Sequence, residues 1–158
     1  GQQLVFGEQL GWLDPSLVNE PENADFFRQV VRVRSRFHRY FYAGEMARPP
    51  RLEGAIPKVT ADWQWSGKWP VTTDAVLTGA WHLTGQRRLA LFFVNVGDEP
   101  VNARLRLDPQ TYGIHAKWLR VQVTRTGEQD TLAQRLPAAF VQPVTFARRQ
   151  AQVWDLEW

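Results

Sequence analysis

Cysteine is absent from this 158-residue chain. That removes disulfides, thiolate-bound metals and cysteine nucleophiles, and it leaves the redox compartment open. Histidine is scarce: His38, His82 and His115 stand far apart, with no pair at a metal-ligand spacing. We therefore expect neither a metal nor a cofactor. Lysine is scarce too, with 3 residues against 16 arginines. The pI of about 9.7 thus reflects guanidinium chemistry as much as excess charge, because the formal net charge is only +3. This balance gives no reason to expect a nucleic-acid partner. No apolar run approaches the roughly 18 residues that suggest a membrane span, and no basic-then-apolar leader opens the chain. The only methionine is Met46 and the chain opens Gly1-Gln2, so it reads as a truncated or processed piece. Localisation signals cannot be read from it. The phosphate-binding, dinucleotide, nucleophile-elbow and zinc-protease motifs are all missing.

What is present divides into three parts. Residues 1–20 hold a short strand-like run, LVF, followed by the dense stretch GEQLGWLD and turn signals at Asp14-Pro15 and Asn19-Glu20-Pro21. Residues 23–43 carry the clearest helix pattern. Asn23 suits the N-cap and Asp25 the first turn. Phe26, Phe27, Val30, Val33, Phe37, Tyr40 and Phe41 recur at helical spacing. Arg28, Arg32, Arg36 and Arg39 share the opposite face, which reads either as a solvated face or as a polyanion-binding one, and Gly44 suits the C′ position. Such an aromatic face must pack on something, either a sandwich or a second copy of the chain, so a homodimer through the 23–43 face is one expectation.

From residue 51 the period becomes two. LEGAI, KVTADWQW, AVLTGAWHL, RRLALFFVNV, VNARLRL, KWLRVQVTR, PVTFA and AQVWDLEW read as strands separated by turn chemistry. The fold class expected is mainly β: an antiparallel β-sandwich of about 7–9 strands over 51–158, preceded by a loop and one long amphipathic α-helix within 1–50. RRLALFFVNV is continuously apolar, as for a central strand covered on both faces.

Residues 79–113, GAWHLTGQRRLALFFVNVGDEPVNARLRLDPQTYG, resemble the C-terminal β-sandwich that follows the (β/α)8 barrel in many glycosidases. The resemblance rests on a Trp-bearing strand, an apolar strand ending V-N-V, a G-D-E-P turn, an alternating strand and a D-P-x-x-Y-G stop. By the same likeness, QLVFGEQLGW looks like the last barrel strand with its loop, and residues 23–43 like the last barrel helix. The resemblance implies a non-catalytic sandwich that stabilises an upstream barrel in a parent protein. Its catalytic groups would sit at the C-terminal ends of barrel strands, so Glu8 and Trp12 would lie at the rim of the pocket. Glycoside hydrolysis needs two carboxylates about 5–10 Å apart, and this chain does not visibly supply both. No catalytic residue is assigned in it, with Glu8 the one exception should the parent barrel be present.

Two groups of residues are candidates for carbohydrate contact. Glu8 reads either as a substrate-contacting carboxylate or as an exposed loop residue. Trp63, Trp65 and Trp69, in DWQWSGKW, read either as a stacking platform for sugar rings or as packing. The alternatives to the accessory-sandwich reading are an independent carbohydrate-binding module using these tryptophans, and an oligomerisation domain. Trp81, Trp118, Trp154 and Trp158 read as core or edge packing. Arg34 and His38, four apart, are expected to bond a neighbouring loop.

Overall fold

The computed structural model describes residues 1–10, 15–62, 70–126, 128–129 and 133–158. Three α-helices come first: α1 (Gln2–Val5), α2 (Pro21–Arg36) and α3 (His38–Ala43). Twelve strands follow among the described residues. They are β1 (Glu45–Ala47), β2 (Arg51–Glu53), β3 (Lys58–Asp62), β4 (Pro70–Asp74), β5 (Val76–Leu83), β6 (Arg88–Asn95), β7 (Val101–Leu107), β8 (Trp118–Arg125), β9 (Glu128–Gln129), β10 (Gln134–Pro137), β11 (Phe140–Phe146) and β12 (Gln150–Glu157). Every pairing is antiparallel. The large sheet runs β1-β5-β6-β12-β8-β10, with β9 also beside β8. A second sheet runs β11-β7-β2, and β3 pairs only with β4. The protein is thus mainly β, a sandwich with a helical layer, as the period-two pattern requires.

Strand β6 shows how the layers arise. Leu89, Leu91 and Phe93 point into the sandwich, while Ala90, Phe92 and Val94 point to the opposite face. All six are fully buried. An uninterrupted apolar run is what a strand covered on both faces requires. On the sandwich side the partners include Leu105 and Phe146 of the three-stranded sheet. On the other side they are Val30, Val33, Phe37 and Tyr40 of the helices, joined by Leu4 and Val5 of α1. Each buried side chain of this size contributes about 1.5–3 kcal/mol relative to exposure. The aromatic helix face therefore meets the protein's own sheet, the first of the two partners expected for it.

Four details of the sequence reading need correction. The helix starts at Pro21, which takes the N1 position where its missing N–H costs nothing. Asn23 instead accepts a hydrogen bond from Arg149 at 2.5 Å. The pattern 23–43 is broken at Phe37, whose φ of −104° and ψ of 17° separate α2 from α3. Gly44 is extended rather than left-handed. A Cβ there would lie 2.4 Å from the Tyr40 carbonyl oxygen, so close approach of backbone, not a positive φ, demands glycine. Finally, the LVF run is not a strand. Leu4 and Val5 donate backbone hydrogen bonds to the Gly1 carbonyl and form one helical turn.

The motifs that carried the resemblance have clear mechanical roles. Asn95, in V-N-V, is fully buried. Its amide donates to the carbonyls of Glu99, Phe146 and Ala147, and its oxygen accepts from the Gly97 N–H. It thereby fixes the β6–β7 turn to the end of β11. In D-P-x-x-Y-G, Asp108 caps a short 3-10 turn by accepting from the Gln110 N–H at 3.0 Å. Gly113 ends that turn at φ +62°, and the Tyr112 hydroxyl donates to the Arg48 carbonyl at 3.0 Å.

Candidate functional site

Glu8 is positioned by the anchoring of the N-terminal turn. α1 lies on β5 because Gly79 has no side chain: a Cβ there would meet the Val5 carbonyl oxygen at 2.5 Å. The Trp81 indole N–H donates to that same carbonyl at 3.1 Å. One residue before Glu8, Gly7 adopts φ +70°, and any Cβ on it would strike the Trp81 ring at 2.5 Å. Arg34 donates to the Gly7 carbonyl at 3.1 Å, and its guanidinium sits 4.9 Å from the Phe41 ring centroid. Arg34 therefore does bond a neighbouring loop, as expected. His38 does not; its ring bonds the Ser35 carbonyl of the preceding helix.

Glu8 itself is exposed. It borders an open groove of about 890 Å³ between the N-terminal turn and the β3–β4 hairpin. Its lining includes Phe6 of the N-terminal turn, Val59, Ala61 and Val71 of the hairpin, and Leu77 and Val96. The hairpin is the one whose connecting residues contain Trp63, Trp65 and Trp69. Those three, and Trp12, lie outside the described residues. The groove's second carboxylate, Asp98, accepts a hydrogen bond from Arg149 at 2.7 Å. An exposed carboxylate beside apolar side chains can accept hydrogen bonds from hydroxyl groups. Among the described residues, no group of three or more His, Asp or Glu is placed to hold a metal ion.

A second polar cluster lies where α3 meets the large sheet, and the sequence gave no sign of it. The Tyr40 hydroxyl donates to Asp155 at 2.5 Å, and Arg88 forks onto both oxygens of the same carboxylate. Burial and then the Asp155 charge push the Tyr40 hydroxyl far above its ordinary value, so it stays a donor. Burial is the largest single influence on Arg88 and works to lower its pKa, but the charges and hydrogen bonds of Asp155 and Tyr40 together outweigh it, and the net shift is upward. These groups are mutually satisfied, so they clamp α3 to β6 and β12 rather than offer a free acid or base. The residues Tyr40 and Asp155 lie 115 apart, and only the register of β6 and β12 brings Arg88 to them. Of the other candidates, Arg28 pairs with Asp25 on the exposed helix face, and Trp154 is buried against Phe140. Trp81 and Trp158 are half-buried, and Trp118 is 49% exposed.

No protein-family model matches the sequence, and no curated protein matches it. Similarity to solved structures is low and partial. A glycoside hydrolase family 30 subfamily 8 xylanase from Clostridium acetobutylicum aligns at 12% identity and a TM-score of 0.39, over 54% of this chain and 21% of that one. A family 51 α-L-arabinofuranosidase from Thermotoga petrophila aligns at 14% identity and a TM-score of 0.39, over 66% and 24%. A family 44 endoglucanase from Clostridium thermocellum aligns at 17% identity and a TM-score of 0.36, over 57% and 18%. The aligned part thus spans about a fifth to a quarter of these chains.

Proposed function

We propose that this chain is the non-catalytic β-sandwich portion of a glycoside-hydrolase-like protein, and that it stabilises the barrel of its parent. The observation that carries the reading is the shared layer. Residues 23–43, which resemble a last barrel helix, bury Val30, Val33, Phe37 and Tyr40 on the outer face of the sandwich's own sheet. A sandwich that packs this way buries the helix's apolar face and so holds the neighbouring domain by the same contact. The described carboxylates fit that role. Asp155, Glu53 and Asp98 are each engaged by arginine, and Glu8 stands exposed in an open groove. The test is hydrolysis of a panel of aryl glycosides and polysaccharides by the purified chain. No turnover is expected. Turnover that disappears in Glu8→Gln would overturn the reading.

A second reading is favoured by one observation: Glu8 and the base of the β3–β4 hairpin line the same groove. A carbohydrate-binding module would use that groove together with Trp63, Trp65 and Trp69. Affinity electrophoresis on a glycan panel separates the two readings. Retardation lost in Trp63→Ala or Trp65→Ala supports the module, and migration unaffected by every glycan counts against it.

A further inference from the structure

The helices cover only part of the face on which they lie. Their apolar contacts are with β5, β6 and β12. Beyond β12 the same face continues onto β8 and β10, and there its residues turn polar and cationic. One register line crosses four strands. Arg88 of β6 stands opposite Glu157 of β12, Glu157 opposite Arg120 of β8, and Arg120 opposite Arg135 of β10. Trp118 lies two residues from Arg120 on the same face of β8, so it borders this line.

Directly opposed like charges destabilise an antiparallel pair. Elsewhere a carboxylate offsets that cost: Arg51 of β2 stands opposite Arg106 of β7, and Glu53 of β2 bonds both Arg106 and Arg104. At Arg120 and Arg135 the relief is weaker. Arg120 reaches Glu157 at 3.5 Å, with the two side chains 68% and 48% exposed, a geometry that contributes little in water. Arg135 lies 5.1 Å from the Trp118 ring centroid, and among the described residues no carboxylate pairs with it. Beside this line, between α3 and β8, runs a groove of about 310 Å³. Its lining includes four arginines, at 36, 39, 88 and 120, and two carboxylates, Asp155 and Glu157. The excess is positive by two charges before Arg135 is added.

We propose that this groove and the Trp118 platform beside it bind an acidic saccharide, one whose pyranose rings carry carboxylates. Guanidinium groups match a carboxylate with paired, charge-assisted hydrogen bonds. The half-exposed Trp118 ring offers an apolar face to the C–H side of a sugar. Glu157 and Thr124 supply acceptors for ring hydroxyls. Hydroxyl acceptors beside the guanidinium groups make a polyhydroxylated acid a better fit than a phosphate backbone, which has few hydroxyls to offer them. The volume is at the lower end of small-ligand pockets, about 300–1,000 Å³. The site shares no residue with the Glu8 groove, so it stands apart from both readings of that groove.

The test is calorimetric titration of the intact chain with trigalacturonate, a neutral galactose trisaccharide, inorganic phosphate and a single-stranded oligonucleotide. Trigalacturonate should bind, and the neutral trisaccharide should not. Arg120→Gln, Arg135→Gln and Trp118→Ala should each weaken binding about tenfold, roughly the loss of one charge-assisted or stacking contact. Arg28→Gln, outside the groove's lining, should leave it unchanged. All three altered residues are on exposed positions, and an unchanged thermal transition in each variant separates lost binding from lost folding. Absence of trigalacturonate binding, equal binding of the neutral sugar, or indifference to all three substitutions would overturn the proposal. So would phosphate or oligonucleotide binding as tightly as trigalacturonate, which would mark a general anion surface.

Discussion

The two faces of the seven-stranded sheet are made by the same strands but are covered differently. The sandwich face meets another sheet, and side chains of β6, β8 and β12 interlock with those of β7 and β11 in an apolar layer. The helical face is apolar only over β5, β6 and β12. It carries a buried Tyr40–Asp155–Arg88 clamp at its edge and backbone pressed directly on Gly79. Sheet-on-sheet packing repeats evenly, because strands of both layers present a side chain every second residue. A short helical layer cannot match that repeat everywhere. It therefore relies on aromatic anchors, one polar clamp and a missing side chain, and beyond its reach it leaves the sheet open.

The largest effect expected comes from neighbours that sit on opposite faces. Phe93→Ala opens the sandwich side and Phe92→Ala the helical side, and both residues are fully buried. Each should cost about 3–5 kcal/mol in denaturant unfolding. A cost below about 1 kcal/mol for Phe92→Ala alone would mean that the helices are loosely docked and the comparison between faces is false. Next in size is Gly79→Val. Its Cβ would overlap the Val5 carbonyl at 2.5 Å, which should dislodge α1, cost about 2 kcal/mol and alter the fluorescence of Trp81. An unchanged emission spectrum would contradict the close approach.

Much of this organisation was legible beforehand, and the reasons are specific. RRLALFFVNV announced a strand with two covered faces, because six consecutive apolar positions, 89–94, leave no solvent side. Phe37 and Tyr40 announced an anchored helix by spacing alone. The errors have equally local causes. Asn23 suits a cap by residue type, yet Pro21 sets the start, because a proline at the first helical position is itself a start signal. LVF has strand-like composition, but tertiary packing on Gly79 decided its conformation. β4 and β10 escaped notice because one opens and the other ends on proline, and QRLP is mostly polar. For the sites, Gly7 was recognised as part of a special stretch, but that Glu8 faces the β3–β4 hairpin depends on how the N-terminal turn docks. Trp118 gave no hint of exposure. Its pairing with Arg135, and the line of Arg88, Glu157, Arg120 and Arg135, exist only through register between strands far apart in sequence.

Two smaller effects sharpen the contrast between faces. Tyr40→Phe removes the hydroxyl bond to Asp155 from the helical layer and should cost about 2 kcal/mol, the range of a hydrogen bond to a charged group. Thermal unfolding with no shift would show that Arg88 alone satisfies Asp155. Tyr112, on the sandwich side, probes the same question through pH. Burial, opposed by Arg48 and aided by Asp108, pushes its hydroxyl up to about 12 from the usual 10. A folded-state value above the unfolded one means that its contribution is intact below pH 10 and is lost as the pH rises from 10 to about 12. Wild-type stability should therefore fall across that window more steeply than that of Tyr112→Phe. Parallel profiles for the two proteins would show that Tyr112 ionises no differently when folded.

The central claim is that residues 21–43 and the sandwich form one cooperative unit around a sheet buried on both sides. Native-state hydrogen exchange tests it most directly. The account predicts that the amides of Val30 and Val33 in α2 exchange with the same free energy as those of Leu91 and Phe93 in β6, through global unfolding. Exchange of the α2 amides at a much lower free energy, with β6 still protected, would contradict it.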